Sequence, residues 1–389
     1  IFTNEGNDRP RKWTGSGNTA VLGGTPPFAK ALASYVGFVL LGNVSDDGTF
    51  TDVTDGAITG RYSDDWDNDW TLCNGNEIIL DETPGEILAI KVFGRDSIWF
   101  KSDGLVNVRW TGTGIRFIQN RINFAKGIVA PLSAQVTEAG VFFLSTDLEL
   151  CVTDGQQVKV LPPRVQRKLQ ETLDVTKALR VVGVVVGNEE TYNLFYPTST
   201  ADTYNRGRIC YNFRTGEFWH RTYSGHQIVR ATTWRQNNTT DEFLVAAASD
   251  DIVYQLDTTD IDDNGTKVAR YYTTDSLNFG APVEKYYRGM ELTFKRAQDV
   301  TVKVSVAKDD SDQFLYEQSF SLKGVQGRTD VIVEYRPPQP LKGWNFNTKV
   351  RFFHDGTTNK GELINALAWW EPVVEEKRER RDETVDAVM

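Results

Sequence analysis

Two stretches decide the fold: Ile98-Trp-Phe-Lys-Ser102-Asp-Gly-Leu105-Val-Asn-Val-Arg-Trp-Thr-Gly112 and Val141-Phe-Phe-Leu-Ser145-Thr-Asp-Leu148-Glu-Leu-Cys-Val-Thr-Asp-Gly155. Shifted by about 43 residues they fall in register, each reading strand, tight polar turn, strand, glycine turn. A third copy stands at Phe243-Leu-Val-Ala-Ala-Ala-Ser249-Asp-Asp-Ile252-Val-Tyr-Gln-Leu256. A fourth carries a longer loop: Tyr192–Tyr196, then Arg208–Phe213, the turn Arg214-Thr-Gly216, and Glu217–Arg221. A further unit starts at Phe28 and runs through Tyr35–Leu41 and Ile58–Tyr62 to Trp70. Lys12-Trp-Thr-Gly-Ser-Gly17 echoes Arg109-Trp-Thr-Gly-Thr-Gly114, which makes it the end of an incomplete first unit.

Each unit offers about four strands in roughly 40–50 residues, the size of one propeller blade. One such sheet cannot cover both of its faces, but sheets stacked radially cover each other. The spacing predicts an all-β chain with a β-propeller over 1–280. Six blades are expected, with five or seven as alternatives, and the segment near Lys267–Thr273 is expected to pair with the amino-terminal fragment and close the ring. One helix is predicted between two blades, where Pro163 precedes Val165, Leu169 and Leu173 at i, i+4 and i+8.

After Gly280 the repeat stops at Ala281-Pro282. Met290–Phe294, Val300–Val306, Val331–Tyr335, Val350–His354 and Leu363–Trp370 then alternate apolar and polar residues, which predicts a small antiparallel β-sandwich over 281–372. The charged segment 373–389 has no core pattern and reads as a solvated arm.

Composition narrows the function. The 389 residues are 40% hydrophobic and 12% aromatic with net charge −10, which is globular and argues against a surface that wraps nucleic acid. The longest apolar runs, Tyr35–Leu41 and Val181–Val186, are strand length and far short of a membrane helix. The chain opens on Ile1 with no secretory signal and no Met, which implies residues upstream. Cys73, Cys151 and Cys210 have no metal-ligand spacing and read as reduced thiols.

His220, His226 and His354 lack HExxH or His-x-His spacing and read as satisfied structural or surface residues. Gly15-Ser-Gly17 and Gly112-Thr-Gly114 are hairpin turns, with no GxSxG elbow or phosphate loop. Ser45-Asp-Asp-Gly-Thr-Phe50 falls one residue short of a sialidase-type Asp-box and occurs once. Asp64-Asp-Trp-Asp-Asn-Asp-Trp70 is the best carbohydrate candidate, set against a polar turn with tryptophans packing beneath it. Asp260, Asp262 and Asn264 match the first half of a calcium loop, but Tyr271 stands where the closing Glu belongs, so an Asx-rich turn is the alternative. The sequons at Asn43, Asn238 and Asn264 are what chance supplies. No cofactor, metal or catalytic residue is expected, and the chain reads as non-enzymatic.

The stretch from Asn4 to Asp174 resembles propeller proteins of the tail tube or nozzle of short-tailed bacteriophages. The residues that carry this are Asp8-Arg-Pro10 with Trp13, Thr25–Lys30, Val39–Asn43, Arg61–Asp64, Pro84–Ala89, Phe100–Ser102, Ala130–Ser133, Phe142–Ser145 and Asp154-Gly155, with Leu277–Pro282 leading into the sandwich. The resemblance implies a structural virion protein of the tail, in a ring commonly of six copies that continues the DNA channel toward the exit. Neighbouring tail proteins such as an adaptor or fibre would be partners, with DNA passing transiently. An acidic lumen would let phosphate slide past. Pro197–Arg206 and the sandwich are the interface candidates. The alternative is a carbohydrate-binding or glycan-cleaving propeller that recognises a host receptor. A cellular scaffold propeller lacks support, because regular Trp-Asp blade endings are missing.

Overall fold

The computed structural model describes residues 1, 8–23, 26–45, 55–63, 70, 77–112, 116–123, 126–223, 226–235, 242–256, 262–263, 266–267, 270–273, 284–295, 300–309, 313–323, 329–354 and 363–372. It divides into two compact units, Ile1–Thr258 and Thr259–Met389.

The first unit is the β-propeller. A short pair, β1 (Arg11–Lys12) with β2 (Ala20–Val21), precedes five blades. Blade 1 is β3 (Phe28–Tyr35), β4 (Phe38–Ser45), β5 (Thr59–Tyr62) and β6 (Glu77–Ile79). Blade 2 is β7 (Ile87–Phe93), β8 (Asp96–Lys101), β9 (Leu105–Trp110) and β10 (Phe117–Asn123). Blade 3 is β11 (Gln135–Thr137), β12 (Gly140–Leu144), β13 (Leu150–Thr153) and β14 (Val158–Val160). Blade 4 is β15 (Val182–Val186), β16 (Thr191–Tyr196), β17 (Gly207–Asn212) and β18 (Phe218–Thr222). Blade 5 is β19 (Ile228–Arg235), β20 (Glu242–Ala248) and β21 (Val253–Gln255). Every blade is an antiparallel meander, and the first strands β3, β7, β11, β15 and β19 touch in that order.

The period-2 geometry of a strand explains why the repeat had to stack. In β8, Trp99 packs into the seam with blade 1, beside Leu40 and Tyr62. Its neighbours Ile98 and Phe100 face the other way, against Val141 and Phe143 of blade 3. In β12, Phe142 and Leu144 face blade 4, beside Tyr192, Leu194 and Tyr196. Phe195 then points on into blade 5, against Ile228 and Leu244. Each middle strand therefore supplies both of its neighbours. On the outer side of blade 1, Leu22 joins Ala29, Val39, Leu41 and Trp70, so the amino-terminal segment takes the place another blade would fill.

Trp99 shows how tightly a seam is cut. An added methyl at Gly60 would lie 2.3 Å from its ring, and one at Gly42 would lie 3.3 Å away. The missing side chains on blade 1 are the slot that the indole occupies.

The seams are also stitched by backbone. Ile87 N–H donates to Ala57 O at 2.9 Å, Ile128 N–H to Lys101 O at 2.9 Å, and Asn205 and Ile228 exchange bonds of 3.1 and 2.6 Å. Between blades 3 and 4 a helix does this work. Helix α1 (Pro163–Thr172) buries Val165 and Leu169 as the spacing predicts, with Leu173 buried just beyond its end. Its Gln166 accepts from Leu150 N–H at 2.9 Å and donates back to Leu150 O at 2.7 Å.

The second unit is the β-sandwich. One sheet runs β24 (Arg270–Thr273), β30 (Phe346–His354), β26 (Val300–Lys308), β27 (Leu315–Ser321). The other centres on β25 (Lys285–Lys295), flanked by β28 (Asp330–Tyr335), β29 (Leu341–Gly343) and β31 (Leu363–Pro372). A short hairpin, β22 (Asp262–Asp263) with β23 (Thr266–Lys267), stands apart. Met290, Leu292 and Phe294 of β25 meet Val300, Val302, Val304 and Val306 of β26 across one core. Two sequence expectations change here. The ring-closing role given to Lys267–Thr273 is corrected: β1 pairs β2, and β24 is an edge strand of the sandwich, paired with β30. The compact units accordingly part at Thr258, upstream of the boundary expected near 280. The arm 373–389 lies outside the described residues.

Candidate functional site

The meander gives the propeller two unlike ends. One end holds the first-to-second and third-to-fourth turns, several of them short, as at Val36-Gly37 and Gly94-Arg95, with the longer 63–76 connection of blade 1 the exception among those the strand bounds define. The other collects the second-to-third turns and all the blade-to-blade connections, and is called here the loop-rich end.

The outer rim is the first notable surface. Among the described residues, the outermost strand of each blade carries one exposed large apolar side chain: Ile79, Ile118, Val160, Trp219 and Val253. Edge strands offer unpaired backbone groups as well, so apolar side chains on them are uncommon on a surface that faces only water. In sequence the signal in β10 was an apolar residue beside a polar run, Ile118 before Gln119-Asn-Arg121.

At the loop-rich end, α1 and the 3-10 segment Val175–Arg180 cross the seam between blades 3 and 4. The apolar side of α1 is buried and its outer side is basic. Within 163–180 lie Arg164, Arg167, Lys168, Lys177 and Arg180, against Glu171 and Asp174. Val175 and Leu179 stand out into solvent beside them, Leu179 at 70% exposure. The predicted interface loop Pro197–Arg206 is tied to this segment. Lys177 donates to the carbonyls of Thr200 and Asp202, Arg180 donates to Thr203 O, and Arg180 lies 5.9 Å from the Tyr204 ring. Asp202, 2% exposed, accepts from Thr198 N–H at 3.0 Å. The loop is thus a packed corner.

Blades 1 and 2 carry the opposite charge at the same end. Lys101 is buried and donates to Leu80 O at 2.7 Å and Thr83 O at 2.5 Å. Burial lowers its pKa, while Asp103, Asp55, Asp81 and Glu82 around it act to raise it. Asp103 spends its oxygens on Thr83 Oγ1 and Gly85 N–H. Glu82 pairs with Arg121 at 2.7 Å. Asp55 and Asp81 are exposed and form no side-chain ion pair among the described residues.

The histidines part company. His226 fits the satisfied reading: Nδ1 lies 3.0 Å from Asp250 Oδ2, and the same oxygen accepts from Tyr254 OH at 2.7 Å. That hydrogen bond is the main cause of the lowered Asp250 pKa. His220 does not fit it, since its Nε2 is buried with no hydrogen-bond partner among the described residues. Burial, helped by Lys168, pushes His220 down to about 4. His354 closes β30 opposite Val300.

Cys151 and Cys210 are buried and in no disulfide among the described residues, and burial pushes Cys151 up to about 11, which keeps it a thiol. Gly15, Gly17 and Gly112 have positive φ, as the turn reading required. Asn43 is buried, donating to Ile87 O at 3.0 Å, so its sequon is no acceptor. Trp70 packs beneath blade 1. Asp64–Asp69, the Asp-box residues after Ser45, Cys73 and Asp260 and Asn264 lie outside the described residues, while Asp262 lies in β22. Among the described residues no cluster of His, Cys, Asp or Glu could hold a metal ion, and no helix is long and apolar enough to cross a membrane. A groove of about 320 Å³ between blades 3 and 4, at the short-turn end, is lined by Val136, Thr137, Glu138, Val185, Gly187 and Phe213. It presents one carboxylate and no second acid or base.

No family model matches the chain and no curated protein matches it. Among solved structures it is similar to an exo-β-1,3-galactanase from Phanerochaete chrysosporium, at 9% identity and TM-score 0.28, over 92% of this chain and 100% of that one. It is similar also to a glycoside hydrolase family 43 arabinoxylan arabinofuranohydrolase from Bacillus subtilis, at 13% identity and TM-score 0.22, over 89% and 95%. A further glycoside hydrolase follows at 10% identity and TM-score 0.24, over 87% and 96%. The expectation of a non-enzymatic chain is corrected on this point: these three solved structures are a galactanase and two glycoside hydrolases, and none of the three is named as a phage tail protein. Likeness at this level assigns no substrate or reaction to this chain, and the propeller is established by its own blade topology.

Proposed function

We propose that the chain is a subunit of a multi-copy assembly, a propeller ring in the tail of a short-tailed phage virion through which DNA passes. One observation carries the assembly reading: the exposed apolar residue on the outermost described strand of each blade, Ile79, Ile118, Val160, Trp219 and Val253. Covering each such side chain contributes about 1.5–3 kcal/mol when complete, and a rim contact that covers even two of them gains a useful share of an interface. The phage setting is supported by the sequence resemblance over Asn4–Asp174. Sedimentation velocity at micromolar concentration tests the assembly. Wild type is expected to sediment as a closed oligomer, and Ile118→Glu with Trp219→Glu as a smaller species with an unchanged melting curve. Wild-type protein that stays monomeric overturns the reading.

A glycan-engaging propeller is the second reading, favoured by two exposed indoles. Trp234 is 62% exposed, and Trp13, 58% exposed, has its ring held by an Nε1–H bond to Gly17 O at 3.2 Å. Such flat faces stack on sugar rings as readily as on protein. Quenching of tryptophan fluorescence by a polysaccharide panel, lost in Trp13→Ala or Trp234→Ala, would support it, and reducing-end release would add cleavage.

A further inference from the structure

We infer that neighbouring copies meet head to tail at the loop-rich end, the basic α1 and Val175–Arg180 surface of one copy docking on the acidic surface around Lys101 of the next. This inference rests on the assembly reading and names its contact.

The basic side is built for a partner in three respects. Arg167 and Lys168 project from α1 without an ion pair among the described residues. Val175 and Leu179 give an exposed apolar centre beside those charges, the arrangement of an interface core with a polar rim. The support beneath is rigid, since Gln166 pins α1 to Leu150 and the carbonyls of the 197–206 loop hold Lys177 and Arg180.

Charge complementarity selects the occupant. The chain as a whole carries −10, so its surface outside this basic segment is more acidic still. Asp55, Asp81, Glu82 and Asp103 gather around one buried ammonium that donates to two carbonyls, and among the described residues Arg121 pairs with Glu82. A second copy therefore brings to the basic surface the carboxylates it lacks. The two surfaces differ, so the contact is heterologous, and closure requires a ring. Their placement suits one: the acidic cluster lies at the seam of blades 1 and 2, the basic helix at the seam of blades 3 and 4. Lys168 also acts on His220 of the last strand of blade 4, and Glu82 pairs with Arg121 of the last strand of blade 2, which brings both surfaces to the rim.

A charge swap in the full chain tests this. Arg167→Glu with Lys168→Glu, and separately Asp55→Lys with Asp81→Lys, should each weaken self-association by about tenfold or more, with the folded β spectrum by circular dichroism retained. Mixed in equal amounts, the two double variants restore both kinds of contact in alternation, and mass photometry should recover the wild-type oligomer. Association that survives both swaps, or that the mixture fails to restore, overturns the inference while leaving assembly intact. Wild type that never associates removes the assembly reading itself. Binding of duplex DNA by wild type, lost in Arg167→Glu with Lys168→Glu while association persists, would assign the surface to nucleic acid and overturn the inference too.

Discussion

His220 should make this propeller acid-sensitive by an amount that can be worked out. The imidazole sits on β18 with Nε2 buried and unpartnered, near the Tyr196 ring at 6.1 Å, and Lys168 opposes a second positive charge. Its folded pKa is about 4 against 6.5 when free. The unfolded chain therefore binds the proton more tightly, so stability is fully present above pH 6.5 and is lost as pH falls toward 4. At pH 5 a shift of that size is worth about 2 kcal/mol at most, and about 1 kcal/mol once residual water around the ring is allowed for. Urea unfolding of wild type and His220→Phe at pH 7 and pH 5 isolates this contribution, because every other titrating group cancels in the double difference. His220→Phe is expected to match or exceed wild-type stability at pH 7, since it removes an orphan nitrogen from a greasy setting, and to lose about 1 kcal/mol less on acidification. Parallel losses in both proteins would mean that His220 titrates as a solvated residue, and the packing assigned to it would be wrong.

Gly60→Ala should cost about 1–3 kcal/mol or more, because its methyl has nowhere to go against the fully buried Trp99; thermal melts that shift by under a degree would refute the slot. Gln166→Ala leaves Leu150 without its reciprocal pair and Leu161 O without a donor, an expected loss of about 2–4 kcal/mol by urea titration. Lys101→Met removes the donor to two buried carbonyls and unmasks the surrounding carboxylates, so destabilisation of about 1–3 kcal/mol is expected, easing at high salt.

The blades were legible because burial on both faces forces a repeated strand length, and Ile98–Phe100 and Val141–Leu144 advertise it. Helix α1 was legible from Val165, Leu169 and Leu173. The fate of Arg270–Thr273 was not, because a four-residue strand carries no mark of which sheet will take it, and β30 decided the matter through pairing 80 or so positions downstream. Leu315–Ser321 and Leu341–Gly343 escaped notice for a similar reason: an edge strand with one wet face reads like loop. The rim and the two charged surfaces needed the fold, since Asp55, Asp81 and Asp103 meet only when blades 1 and 2 stack. His220 gave no signal at all, as the neighbours that surround it, Tyr196 and Lys168, lie 24 and 52 positions upstream.

Electron microscopy of the purified full chain tests the central claim most directly. The account predicts closed rings of propellers set side by side, with the loop-rich ends on one face and the seams of blades 1–2 and 3–4 at every junction. Single propellers at all concentrations, or rings joined through the short-turn end, would contradict it.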